Sequence, residues 1–514
     1  MLYARIFPEA YDLDQIRIRR ITLERKRQMS LQGSCEAAKR LGYKPYVSSY
    51  AQAGTASFLM AEDQEQKWLL ITGKTPSGFQ GRKEPFDNGD LLCCPLTHEN
   101  AAAIQRVFSW LLPISARGKA ASFGTGDRLG LVTGAHITAF SGTGIFPILA
   151  QQSKRELTLT GRTNRAMIED VMWQVFENGY CGGYGADGDH LKTLEDITAA
   201  LADGSSFITL DCSDHIPSRT KPTTEELDAM EKGYCHQKFR TGGLQLHIPR
   251  NVLNMLMDEY WEAIDHICAI YEHAIAACGR DVTFEISLDE TRIPTSLEAH
   301  FFVAEELRRR GVHIDSLAPK FCGEFQKGID YIGDVEMFRE NLRGHLKIAE
   351  SFGYKISVHS GSDKFRILPF VGKECHGHFH LKTSGTSWVE AVRVIAMAEP
   401  ELFRRMAKYS CQKFENARQY YHVTANIENV PDMWEIPDED LPALMDQPDT
   451  RQVMHITYGS ILGDCDATGQ PRFRDDIYHV LRKNKSLLDE VVSAHIRRHL
   501  QKISADVWEL FGEY

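Results

Sequence analysis

The segment Val282-Thr283-Phe284-Glu285-Ile286-Ser287-Leu288-Asp289 alternates apolar and polar side chains. Successive residues of a strand point to opposite faces, so Phe284, Ile286 and Leu288 share one face while Glu285, Ser287 and Asp289 share the other. An outer face packed under helices and a polar inner face account for this alternation. Seven further short apolar runs, at 120–124, 145–150, 183–187, 207–211, 314–318, 355–359 and 377–382, alternate with helical patterns. Eight strands alternating with helices predict an α/β chain folded as a (β/α)8 barrel. An open doubly wound sheet is the structural alternative.

The intervening segments carry helix signals. Thr163 stands as a cap before 165–178, Thr223 with Glu226 forms a capping box, and Gly279, Gly311 and Gly353 follow helical patterns at 252–278, 296–310 and 336–352. Outside the barrel, 116–398, the sequence predicts an N-terminal α+β module over 1–115 and a helical C-terminal extension over 399–514. In the module, 16–42 and 101–112 read as helix, 46–61 and 67–72 as strands, and 75–90 as a loop. In the extension, 400–418 and 476–500 read as helices, and His455–Gly459 is open between strand and loop.

Composition is that of a globular protein, 43% hydrophobic and 25% charged, with a net charge of −11. A broad basic surface for nucleic acid is excluded. A local cluster of Lys and Arg can still bind an anion. The absence of a leader and of an apolar run near the ~18 residues of a membrane span predicts a cytoplasmic protein without membrane association. Twelve scattered cysteines without a CxxC pair read as reduced thiols. The loop Gly124-Thr125-Gly126-Asp127-Arg128-Leu129-Gly130 departs from the dinucleotide fingerprint, so no nucleotide cofactor is expected.

A (β/α)8 barrel places its active site at the C-terminal ends of its strands. Those ends carry Asp127-Arg128, Gln151-Gln152-Ser153, Asp187-Gly188-Asp189-His190, Asp211-Cys212-Ser213-Asp214-His215, Glu285, Lys320, His359-Ser360-Gly361-Ser362-Asp363-Lys364 and His378, His380 and Lys382. One polar strand end is routine. A whole ring of them is not, because burying charge without partners is costly. Histidine with carboxylate suits a divalent cation such as Zn, Mn, Co or Ni, and the lysines and Arg128 suit an anionic substrate.

Phe123–Leu131, Ala150-Gln151-Gln152-Ser153, Gly182–Asp187 with Asp189–Thr193, Ser357-Val358-His359-Ser360-Gly361-Ser362-Asp363-Lys364-Phe365 and His380-Leu381-Lys382-Thr383 resemble the bacterial tagaturonate/fructuronate epimerase family. The likeness runs from about residue 91 to the end. It implies a metal-dependent isomerase interconverting two ketohexuronates at C4, in a family some of whose members act on neutral ketohexoses, and leaves the choice between hexuronate and ketohexose open. A shorter resemblance, through Asp189-His190, Phe284-Glu285-Ile286 and His359-Ser360-Gly361-Ser362, is to class II metal-dependent aldolases, in which a further histidine stands where this chain has Lys320. A class II sugar aldolase and a non-catalytic aldolase-associated subunit are the alternatives. The C4 hydrogen is not alpha to the C2 ketone, so the chemistry expected is retro-aldol cleavage and re-addition. The assignment is then His190, His359 and His380 as metal ligands, with Asp211 and His215 in reserve. Asp189 is the proton acceptor and Glu285 the proton donor, its pKa raised by burial. Arg128, Lys320 and Lys382 hold the substrate carboxylate. A homo-oligomer is compatible with this reading. Asp189 and His190 are adjacent, so both reach one substrate only if the strand stops or bulges at Gly188.

Overall fold

The computed structural model describes residues 28–86 and 89–504. They fall into two compact units, one running to Leu112 and including Met172–Cys181, the other comprising Pro113–Val171 and the chain from Gly182 onward.

The first unit is built on an antiparallel sheet of β1 (Lys44–Ala53), β2 (Ala56–Glu62), β3 (Lys67–Thr72), β4 (Arg82–Phe86) and β5 (Gly89–Pro95), in the order β1-β2-β3-β5-β4. Its core gathers Tyr50, Leu59, Leu70, Leu91 and Cys93 against Ala38 of a helix over residues 28–40. The helix expected over 16–42 lies in part outside the described residues. The single strand expected over 46–61 is a hairpin, turned at Gly54 with φ +60°. The stretch 75–90, expected to be a loop, contains β4. Arg82-Lys83-Glu84-Pro85 lacks apolar alternation because β4 is the sheet's edge, where charge and proline are tolerated. Thr97 caps the helix His98–Val107, and a single 3-10 turn, Ser109–Leu111, follows it before Pro113.

The second unit is a closed parallel barrel. Its strands are β6 (Ala121–Gly124), β7 (Phe146–Ser153), β8 (Gly185–Leu191) and β9 (Phe207–Asp211), then, after a small hairpin of β10 (Lys238–Thr241) and β11 (Leu244–His247), β12 (Thr283–Ser287), β13 (Ser316–Ala318), β14 (Lys355–Val358) and β15 (Phe379–Lys382). Pairing of β15 with β6 closes the ring, which excludes the open sheet. Thr163 accepts from the Ala166 amide at the start of Asn164–Glu177, and Thr223 with Glu226 forms a capping box on Thr224–Tyr234. Helix Val335–Phe352 ends on Gly353 with φ +81°.

Helices Thr386–Ala398, Pro400–Arg418, Pro448–Ile456 and Tyr458–Gly463 continue the same unit. The segment His455–Gly459 is helical rather than strand or loop. Its β-branched residues favour a strand, but Thr457 donates to the Val453 carbonyl (2.7 Å) and to Ser410 (2.9 Å) within a buried helical packing. The single helix expected over 476–500 is two, Arg474–Lys483 and Lys485–Ser504, separated at Asn484. The last of these packs on helices Thr133–Phe140, Leu368–Glu374 and Thr386–Ala398 through Leu488, Val492, Ile496, Leu500 and Ile503. Five such side chains contribute on the order of 10 kcal/mol of hydrophobic stabilisation, at about 2 kcal/mol each.

Candidate active site

The strand ends of the barrel open into a cavity of about 1060 Å³, whose lining includes Asp189, His190, Asp289, Lys320, His359 and Lys382. Strand β8 supplies the first two. Its pairing with β9 shifts register between Gly188 and Leu191, and His190 takes a left-handed backbone, φ +53°. This bulge turns the adjacent Asp189 and His190 into one cavity. Gly188 permits it, because a Cβ there would stand 2.8 Å from Leu191 Cδ1 and 3.0 Å from Ile208 Cδ1. His359 follows β14 on a turn in which Ser360 and Asp363 are also left-handed, φ +51° and +62°. Asp289 lies two residues beyond β12 and accepts from Ser287.

His190, Asp289 and His359 each offer one donor atom, and the three atoms lie within 4.8 Å of one another. Asp289 Oδ1 is 3.2 Å from His359 Nδ1 and 3.9 Å from His190 Nε2. The remaining ring nitrogens are held by carboxylates, His190 Nδ1 by Asp189 at 2.8 Å and His359 Nε2 by Glu285 at 2.8 Å. Two imidazoles, each oriented by a second carboxylate, beside a third-ligand carboxylate form a donor set that fits a divalent transition metal. The electrostatics agree. Burial opposes charge on both rings, yet Asp189 and Asp289 hold His190 well above its usual pKa, and Asp289 and Glu285 raise that of His359. The site therefore attracts two positive charges at the imidazoles, and a divalent cation supplies the same charge.

Below this trio lies an ion network. Lys382 Nζ donates to Asp187 (2.7 Å), Asp189 (2.7 Å) and Thr209, with Glu285 at 3.1 Å. Burial raises the Asp187 carboxyl to about 6, against the pull of Lys382 and with the push of Asp189 and Glu285. Burial is the largest influence on Asp189 and Glu285 and opposes their ionised forms, but Lys382 together with His190 and His359 respectively outweighs it and holds both carboxyls down.

Several expectations are corrected here. Glu285 is fully buried, its pKa is lowered rather than raised, and it accepts from Ser316 (2.6 Å) while holding His359 Nε2 (2.8 Å). His380 does not join the metal-type cluster. It pairs with Ser122 of the neighbouring strand β6 at 2.9 Å and lies against the Phe207 ring, and burial pushes its pKa down to about 3. The guanidinium of Arg128 is taken by Glu156 (Nε to Oε1, 2.9 Å) and lies 3.6 Å over the Tyr458 ring, away from the cavity lining. Of the reserve ligands, His215 is held by Glu262 (2.9 Å) against His266, while Asp211 lines the cavity 3.5 Å from Lys192. Lys320 and Lys382 do line the cavity, but their ammonium groups are engaged, Lys320 by the Thr291 carbonyl.

Three side chains had no assigned role in the sequence reading. Asp289 continues the polar alternation of Glu285 and Ser287 just beyond β12 and could have been found from it. Gln151 lines the cavity with its Oε1 buried and unpaired. Lys327 lines the cavity from the long connection after β13, and no local pattern marks it.

A second cluster fastens the His359 turn. Asp363 accepts from His495 Nε2 (2.8 Å), Arg451 (3.1 Å) and Thr386 (3.3 Å), and its amide donates to His499 Nε2 (2.8 Å). Arg451 also pairs with Glu390 at 3.0 Å. The lone pair of His499 and the charge of Asp363 are thus engaged within the protein, which makes this a structural clamp.

The sequence matches the family model described as tagaturonate epimerase over residues 46–503. The tagaturonate/fructuronate epimerase of Thermotoga maritima is 40% identical over 472 residues, 89% of this chain and 96% of that protein. The crystal structure of native fructuronate-tagaturonate epimerase from Cohnella laeviribosi superimposes with a TM-score of 0.87 at 39% identity, covering 93% of this chain and 99% of that one. A glycerol complex of the same enzyme gives 0.86. With a barrel, a donor trio and a sequence match that spans nearly its whole length, the chain belongs to the tagaturonate epimerase family.

Proposed function

We propose that the protein interconverts tagaturonate and fructuronate by inverting C4, through cleavage and re-formation of the C3–C4 bond. The observation that carries the metal-dependent form of this reading is the convergence of His190, Asp289 and His359 in the cavity. These three residues would hold a divalent cation, which when bound supplies Lewis acidity to the ketose oxygens. Asp189, at the cavity surface and kept ionised by Lys382, accepts the C4 hydroxyl proton as C3–C4 breaks. Cleavage leaves a three-carbon enediolate and a three-carbon aldehyde. Rotation of the aldehyde and re-addition to its other face return the C4 epimer, and Asp189 gives the proton back. Gln151 Oε1, buried without a partner, supplies an acceptor for a substrate hydroxyl. Enclosure in the cavity keeps the two fragments together.

The test is to incubate the purified protein with tagaturonate and follow fructuronate against free three-carbon fragments, before and after chelation, with metal analysis. Fructuronate formation that stops on chelation and returns with added metal is expected. Release of fragments as the main product would make it an aldolase. Full activity after chelation and after His359→Ala would end the metal reading.

A further inference from the structure

We infer that Lys327 is the carboxylate-binding residue of this cavity, and that it sets the preference for a sugar acid over a neutral sugar. The inference rests on the proposed epimerase reading and adds to it the group that recognises the acid end of the substrate.

A carboxylate needs a cationic partner with free donors. Lys382 has all three of its protons engaged by Asp187, Asp189 and Thr209, and Lys320 donates to the Thr291 carbonyl. Lys192 donates to Asp214 and Ser213, Lys154 to Asp196, and Arg155 to the Tyr420 carbonyl. Among the described residues, the lining cations whose side chains make no hydrogen bond or ion pair are Lys327 and Arg292. Arg292 stands exposed, where water satisfies a guanidinium; Lys327 is half-buried.

Lys327 is also held in place. Gln452 donates to the Lys327 carbonyl (3.0 Å), and Gln326, beside it, accepts from the Thr424 amide (2.9 Å) and from Gln452 (3.1 Å). The Gln326 carbonyl accepts from Lys364 (2.8 Å). These bonds fix the position from which the Lys327 side chain enters the cavity. Burial, with Arg128 nearby, lowers the pKa of its ammonium although Glu156, Asp189 and Glu290 oppose this. A half-buried ammonium without a partner is costly, and an incoming anion removes that cost. The metal-type trio and Lys327 line one cavity, so one bound sugar acid is within the same enclosure as both.

The experiment compares wild type, Lys327→Met and Lys327→Arg with tagaturonate and with neutral tagatose, alongside calorimetric binding of tagaturonate and thermal melting as a fold check. In Lys327→Met the ratio of kcat/KM for tagaturonate over tagatose should fall on the order of 100-fold, the value of one hydrogen bond to a charged group, and Lys327→Arg should restore most of it. A ratio within about 3-fold of wild type in a folded Lys327→Met protein would overturn the inference. Binding separates this from the parent reading. A wild-type protein that binds tagaturonate without epimerising it, and loses binding in Lys327→Met, would sink the epimerase reading and keep the carboxylate site. Epimerisation and tagaturonate affinity both retained in Lys327→Met would sink the carboxylate site alone.

Discussion

Replacing Lys382 by methionine removes the ammonium shared by Asp187, Asp189 and Glu285 while keeping the volume of the side chain. Deleting one partner of a buried ion pair costs about 3–5 kcal/mol, because the remaining charge is left uncompensated. Against a total stability of about 5–15 kcal/mol this is a large fraction. The loss should depend on pH, and the sign follows from the carboxyl groups. In the wild type Asp189 and Glu285 titrate well below their unfolded values, because Lys382 together with His190 and His359 overrides burial. Their contribution is present above about pH 4 and fades as pH falls through the depressed values. Asp187 already titrates near 6, so its contribution is full at low pH and is lost as pH rises through that value. Without Lys382 the main pull against burial is gone from all three groups, and their folded pKa values rise. Each carboxyl that takes up a proton in the variant but not in the wild type then returns about 1.4 kcal/mol per pH unit. A deficit of about 4 kcal/mol at about pH 8 should therefore shrink by at least about 2 kcal/mol at about pH 5.5. Urea denaturation followed by tryptophan fluorescence, with chelator present so that metal linkage does not contribute, measures both values. A deficit under about 1 kcal/mol at the higher pH, or one that does not change with pH, would refute this account of the network. Adding Asp187→Asn to Lys382→Met should recover part of the deficit.

Other outcomes follow from the same geometry. Asp189→Asn removes the carboxylate that orients His190, so metal affinity measured by competition with a chelating dye should fall about 10–100-fold. His380→Asn should leave metal stoichiometry unchanged, and a lost equivalent would return His380 to the ligand set. Asp363→Asn should cost about 3–5 kcal/mol at neutral pH, and the gap should close below about pH 4, because the depressed pKa of Asp363 makes its contribution one that acid removes. Gly188→Val forces a side chain into Leu191 and Ile208 and should destabilise by about 1–3 kcal/mol, with loss of the bulge visible as lost metal binding.

The eight barrel strands were legible because each is a short apolar run bounded by helix signals, and the closing pair β15–β6 follows from their number. Height along a strand was not legible. Alternation tells which face His380 occupies, but it pairs in register with Ser122 and Ser357, one layer below Lys382. The residue that lies with His190 and His359 is instead Asp289, two positions beyond the end of its strand. Partners distant in sequence were equally hidden. Arg128 reads as an anion binder until Glu156 and Tyr458 are seen around it. Edge strand β4 escaped because an edge needs no apolar face, and Lys327 because its value lies in what it does not touch.

The clamp on the His359 turn bears on how the protein is made. Every barrel strand has been synthesised by Lys382, yet the residues that fasten Asp363, namely Thr386, Arg451, His495 and His499, all come later in the chain. On a ribosome the ring can therefore close before the turn that carries His359 is secured. The turn that carries His359 is thus fastened only after helix Lys485–Ser504 has emerged, later than every strand whose end it faces.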